Sequence, residues 1–421
     1  MRQSQHCFVA WIAISVIIFP WLKDARYNFT DYNLKLTSLH DCLINYNLSV
    51  SIKQNVVKFP QSAIPLVGGS PILAMQLWRI LPQTVKIRMQ NISNKCHFRR
   101  WHDIFQKHRS RWSNGRNLIW ACKSFCGGNG DRLRGLAHAM YLSLCMGYDL
   151  LLDWTHPVPI SRFFVQRPSV SWLAKPGSQM RAADVHIMDS RKPLGLNWKQ
   201  FDNIRLYSNM DALQMDCGTN ETNLTSALYF EDSSAPITNG YHVYGGTYHM
   251  VGCTFWHLFS LNDELTNAVL GEVRSLNTLK QSRSIIACHI RIGDIAMGVG
   301  SDHRVKGTLA DIGRRVMVCA SYLARKLKFQ QFVTVLVSDS NALKQLFQSQ
   351  FPNMSYVSKY PPYHTDRGRS NSVSGSLGSW VDTMLLALSD AVILSPSGFG
   401  AVAAQIGLFL RDEIAYIDEC N

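Results

Sequence analysis

His289, Arg291, Gly293 and Asp294 close an apolar run in the stretch Cys288-His-Ile-Arg-Ile-Gly-Asp294, and their types suit an anionic ligand. A planar guanidinium can grip a phosphate with two hydrogen bonds, an imidazole can add another, and the carboxylate can orient the arginine or take a proton. An Arg291–Asp294 ion pair with no ligand fits the same residues equally well. A second stretch, Gly127 to Gly130 followed by Arg132 and Arg134, combines glycines that allow close backbone approach with charge at a helix start, where N–H groups favour anions. It is not the dinucleotide fingerprint, and a tight turn with surface arginines is its plainer alternative. Third, Ser395, Ser397 and Gly398 open an alanine-rich helix; the two serines suit phosphate contact and simple capping alike.

The surrounding pattern places all three stretches just after strands. Residues 118–122 read as a strand, 126–132 as a tight loop, 133–144 as an amphipathic helix stopped at Gly147, and 148–154 as a second strand. Later come strands at 284–292, 332–338, 391–394 and 413–417, with helices at 308–327, 341–351, near 380–388 and from 399. Such alternation builds parallel sheets covered on both faces, whose ligands sit beyond the carboxyl ends of the strands. Residues 155–275 are less regular, and a linker is expected near 271–282.

The three loops in this order resemble the superfamily of alpha-1,2-, core alpha-1,6-, protein O- and nodulation-factor fucosyltransferases. His289, Arg291, Gly293 and Asp294 fill its H-x-R-x-G-D motif. The glycine loop before the Leu-Leu-Leu-Asp-Trp154 strand and the serine turn after the helix from Asp382 to Asp390 are similar too; the resemblance spans residues 117–421. It implies a GT-B-like α/β fold of two Rossmann-like domains with parallel sheets, preceded by a signal anchor. The implied division is 1–22 cytosolic tail and anchor, 23–115 stem and variable cap, 116–275 acceptor-side domain, and 276–421 GDP-fucose-binding domain.

By the same resemblance Arg291 grips the diphosphate of GDP-fucose, the donor being a substrate and no cofactor being needed. His289, Gly128, Asn129, Gly130 and Arg132 line the donor site, Ser395, Ser397 and Gly398 contact phosphates or sugar, and Asp339 is a further donor-site residue. Ile292 stands where several relatives carry a second arginine, which shifts the expectation for the diphosphate toward Arg132 or Arg304. Asp294 and Asp302 are the carboxylates available as general base. The implied chemistry is inverting transfer of fucose to a hydroxyl of a glycan or glycoprotein. No D-x-D triplet occurs in the chain, which points to catalysis without a metal. A transferase of another nucleotide sugar and an inactive glycan-binding relative are the alternatives.

Composition and ends agree with this picture. The 421 residues suffice for two domains, and a formal charge of +14 with a pI near 9.3 implies an anionic partner. Basic residues are dispersed and no nucleic-acid-binding signature occurs, so nucleic acid is not expected. Residues 8–22 carry no charge and lack a small-residue cleavage site, which suggests an uncleaved anchor and a lumenal, Golgi-type body; ER residence or secretion are the alternatives. Six sequons, at Asn28, Asn47, Asn91, Asn220, Asn223 and Asn353, and ten cysteines beyond the anchor fit an oxidising lumen. Cys122 with Cys126, or Cys217 with Cys253, are plausible pairs, while Cys288 and Cys319 suit buried thiols.

Overall fold

The computed structural model describes residues 68–96, 98–109, 116–122, 126–167, 183–187, 203–208, 248–278, 283–293, 296, 305–363 and 372–420. The expected anchor, Asp294, Asp302, Arg304, Cys217 and the sequons at Asn28, Asn47, Asn220 and Asn223 lie outside them. Among the described residues no helix is long and apolar enough to cross a membrane.

Two parallel sheets carry the fold, as expected. In the first, β1 (Asn117–Cys122) lies between β2 (Asp149–Trp154) and β5 (Asn203–Ser208), with β4 (Ala183–Ile187) beyond β5. In the second, β7 (Ser284–Ile290) is central, with β8 (Phe332–Ser338) and β9 (Ser355–Val357) on one side, and β10 (Ala391–Leu394) and β11 (Ile414–Tyr416) on the other. The chain runs outward from β7 to β9, then crosses back to β10, so the order reverses between β7 and β10. Open α/β sheets bind ligands at the carboxyl ends beside such a reversal. A short antiparallel pair, β3 (Phe164–Gln166) with β6 (Phe259–Leu261), completes the strands described.

Strand alternation decides what covers each face of the second sheet. Ile286, Cys288 and Ile290 of β7 join the core under α8 (Leu309–Lys326) and α9 (Asn341–Gln350). Ile285 and Ala287 face the other way, toward α10 (Val373–Ala387) and α11 (Gly398–Ile406). That second face is part of one continuous core that also holds Leu118, Trp120 and Trp154 of the first sheet. Trp154 and Trp380 meet with ring centroids 6.0 Å apart, and Phe164 packs edge-on to Trp380 at 4.8 Å. The two halves therefore share apolar interior rather than a thin polar seam.

Four expectations need correction. Within the expected stem and cap, α1 (Pro71–Ile80), α2 (Gln83–Gln90), α3 (Ile92–Cys96) and α4 (Phe98–Arg109) bury Leu77, Val85, Met89, Ile92 and Trp101 in the shared core. The linker expected near 271–282 is instead largely α7 (Asp263–Thr278), whose Leu265, Val269, Val273 and Leu276 form a helical apolar stripe. Cys253, on α6 (Tyr248–Leu258), pairs with Cys96, and Cys319 pairs with Cys420 because α8 lies over the chain's end. Cys122–Cys126 is bridged as expected, and Cys288 is a buried free thiol.

Candidate anion-binding site

The three stretches singled out above, far apart in sequence, converge at the carboxyl ends of the strands. Ser395, first after β10, knits its strand end to that of β7: its amide donates to the His289 carbonyl at 3.0 Å, and its hydroxyl accepts the Arg291 amide at 2.8 Å. Asp339, first after β8, holds the next two residues. Its carboxylate oxygens accept the amides of Ile292 at 2.7 Å and Gly293 at 2.9 Å. Gly293 has φ of +125°, a conformation side chains rarely adopt, which lets the chain turn sharply there. Burial pushes the Asp339 carboxyl above its usual range, while the two amides and the Arg291 charge pull the other way.

Two helices from different halves begin at this place. α5 (Asn129–Met146) starts after Gly128, whose amide donates to Asp131 Oδ2 at 3.1 Å, and α11 starts after Ser397, whose hydroxyl accepts the Phe399 amide at 3.3 Å. A Cβ on Gly130 would lie 2.6 Å from the carbonyl carbon of Gly398, so the two first turns touch backbone to backbone. Each helix start carries unsatisfied N–H groups and roughly half a positive charge. Their convergence near half-buried Arg291 sets backbone N–H groups and a guanidinium at one place, an arrangement that suits an anion.

His289 faces α11, as strand alternation requires. Its ring lies 5.1 Å from that of Phe399, and a Cβ on Gly400 would come within 2.8 Å of its Nδ1. Burial, with help from Arg291, depresses its pKa to about 3, so the imidazole is neutral over the working pH range. Nδ1 is buried and has no hydrogen-bond partner among the described residues.

Three expected donor-site residues have partners within the protein. Arg132 is fully buried: Nε donates to the Gly127 carbonyl at 2.8 Å, one Nη donates to the His156 carbonyl at 2.5 Å, and the guanidinium lies over Trp154. It braces the glycine loop from beneath, because five donors on an inward side chain must find buried acceptors. Asn129 is buried and donates to Ser379 Oγ at 3.0 Å, a clasp between α5 and α10. Asp339 gives both oxygens to backbone amides and so shapes the turn after Arg291. Gly128, Gly130, His289, Arg291, Ser395, Ser397 and Gly398 lie at these strand ends and helix starts.

Sequence reasoning passed over Asp382, marking it only as the start of a helical pattern. Its side chain is buried on α10, accepts from Ser358 Oγ at 2.6 Å, lies 3.9 Å from buried Lys344, and is raised to about 6 chiefly by burial. Nearby, buried Glu272 on α7 accepts from Tyr356 Oη at 2.8 Å. The only sequence signal was a carboxylate in an otherwise apolar run. No group of three or more His, Cys, Asp or Glu side chains is placed to hold a metal ion among the described residues.

No family model matches the chain, and no curated protein matches it. Solved structures similar to it include an Arabidopsis thaliana FUT1 mutant in complex with GDP, at 12% identity and a TM-score of 0.49, covering 83% of this chain and 85% of that one. NodZ alpha-1,6-fucosyltransferase co-crystallized with GDP is 16% identical with a TM-score of 0.41, covering 69% and 92%; NodZ is from Bradyrhizobium. POFUT1 in complex with GDP-fucose is 8% identical with a TM-score of 0.38, covering 72% and 97%. At such identities no residue's role passes from those proteins to this one.

Proposed function

We propose that this chain is an inverting fucosyltransferase that moves fucose from GDP-fucose to a hydroxyl of a glycan or glycoprotein. The observation that carries this is the meeting of Arg291, Ser395 and the starts of α5 and α11 at one sheet reversal, around the H-x-R-x-G-D motif. When an acceptor hydroxyl attacks the anomeric carbon of fucose, the C–O bond to GDP breaks and negative charge grows on the diphosphate. Arg291 and the helix-start amides meet that charge as it develops, which is electrostatic catalysis by fixed groups. Ser395 and Asp339 fix the backbone on either side of the Arg291 peptide, so the guanidinium starts from a defined position. Neutral His289 can hydrogen-bond the donor without titrating.

The missing D-x-D triplet supports a reaction that needs no divalent ion. Three disulfides among the described residues support a body that matures in an oxidising, lumenal compartment, and the uncharged run at 8–22 would hold it to a Golgi membrane. A screen of the purified protein against nucleotide sugars with a mixed glycan pool tests the reading. Product from GDP-fucose, with linkage analysis showing an inverted anomeric centre, is expected. Turnover of a different donor, or glycan binding with no turnover, would replace it.

A further inference from the structure

The H-x-R-x-G-D motif supplies one guanidinium, because Ile292 is apolar and buried, and Arg132 is turned beneath its loop. A leaving diphosphate carries more than one negative charge. We propose that Arg134, from the opposite half of the molecule, is the second cation that binds it; the proposal rests on the donor reading above.

Arg134 is one helical turn into α5, and its Nη2 donates to Asp131 Oδ1 at 2.5 Å. A Cβ on Gly398 would lie 3.5 Å from Nη2 and 3.6 Å from Asp131 Oδ1, so this ion pair rests against the first residue of α11. The Arg134 side chain keeps 20% of its surface exposed and Asp131 keeps 38%, so both remain within a ligand's reach. An independent pointer to a ligand here is His289 Nδ1, buried and without a partner, and crowding the same first turn at Gly400. Asp131 holds two tasks at once: Oδ2 caps α5 through the Gly128 amide, and Oδ1 holds Arg134. A carboxylate beside two helix starts stands in the field that would otherwise attract an anion. On donor binding Arg134 exchanges Oδ1 for a phosphate oxygen, while Asp131 keeps its amide cap.

This exchange makes the two halves of one ion pair act with opposite signs. Calorimetric titration of the full-length protein in detergent with GDP compares Arg134→Ala, Arg134→Lys, Asp131→Asn and Arg291→Ala with the unaltered chain. Arg134→Ala is expected to weaken GDP binding about 10- to 100-fold, the scale of a lost charge-assisted hydrogen bond. Arg134→Lys should fall between, and keeps the test alive if alanine unfolds the protein. Asp131→Asn should bind GDP as well or better, since an amide oxygen still accepts from Gly128 and the competing charge is gone. Weaker binding in Asp131→Asn, matching that of Arg134→Ala, would show a merely structural pair and overturn the proposal. Loss with Arg291→Ala but none with either Arg134 variant would sink this proposal alone. No GDP binding by the unaltered chain, or none lost in any variant, would sink the donor reading with it.

Discussion

Gly130 and Gly398 hold the two halves in backbone contact at the point where α5 and α11 begin: a Cβ on Gly130 would stand 2.6 Å from both the carbonyl carbon and oxygen of Gly398. Backbone cannot give way as a flexible side chain can. Gly130→Ala should therefore push the helix starts apart, costing about 1–3 kcal/mol of stability. Donor affinity should fall more than the melting temperature alone would suggest. A variant with unchanged melting temperature and unchanged GDP titration would show that the contact is slack.

Arg291→Ala is expected to lower kcat/KM for GDP-fucose by at least about a hundredfold with the fold intact, the scale of losing a fixed donor to a developing charge. Arg291→Lys should also be poor, since it loses the planar fork. Steady-state kinetics beside a circular-dichroism melt checks both. Near-normal turnover in the alanine variant would remove Arg291 from the chemistry.

Asp339→Ala leaves the amides of Ile292 and Gly293 without their acceptors, so the turn after Arg291 should loosen. Turnover should fall about tenfold or more, on the scale of an unsatisfied buried donor. Asp339→Asn, which keeps one acceptor oxygen, should recover part of it. An alanine variant with native kinetics would mean that other contacts set this turn.

Acid should destabilise the protein. Burial lowers His138 and His257 to about 4 and His289 to about 3, from 6.5. As pH falls through 6.5 the unfolded chain binds protons that these folded imidazoles refuse, so stability drops until their folded values are reached. Asp382 acts in the opposite sense between about 6 and 3.8, because its folded carboxyl takes up a proton first. Asp339, whose buried carboxyl is also raised, acts in the same sense as Asp382, but the three histidines outweigh the two aspartates above pH 5, and melting temperature should fall between about pH 7 and pH 5. His138→Gln should shrink that fall, by up to about 2 kcal/mol of its free-energy equivalent. A melting temperature that rises on acidification would contradict the burial of these rings.

Turnover in excess EDTA should stay close to that in Mg2+ or Mn2+, because arginine, hydroxyls and helix-start amides offset the diphosphate charge. Modest stimulation by cations is compatible with relief of product inhibition. Complete loss in EDTA, restored by a single metal, would assign carboxylates such as Asp294, Asp302 or Asp339 as ligands.

The sheet-forming runs were legible because β7, β8 and β10 are short, apolar and bounded by breakers, and their bounds fall within two residues of expectation. α10 began earlier than expected, at Val373, because Gly375 and Gly378 weaken the local helical signal; the structure needs them where Tyr363 and Tyr360 pack. Strand β9, of three residues, is below what periodicity resolves. The gathering of His289, Arg291, Ser395 and Ser397 was legible because strand ends share a side of the sheet. What a spacing could not show is direction: Arg132 and Arg134, two residues apart on α5, point to opposite fates, one into the core and one to its rim. Nor could it show that Asn129 reaches Ser379, a contact made across 250 positions.

The Cys96–Cys253 bridge sets a limit on how far the chain can be shortened. It ties α3 to α6, while Arg88 donates to the Ser389 and Asp390 carbonyls and Lys95 to that of Leu408. A soluble version trimmed to the two sheets alone, starting near residue 116, would leave Cys253 an unpaired thiol and uncover the apolar bed on which Leu77, Val85 and Met89 lie. Such a product would be expected to aggregate or cross-link through that thiol. One beginning ahead of Pro71 keeps the bridge and its apolar cover together, so the smallest unit with a covered core extends about 45 residues further toward the N-terminus than the sheets themselves require.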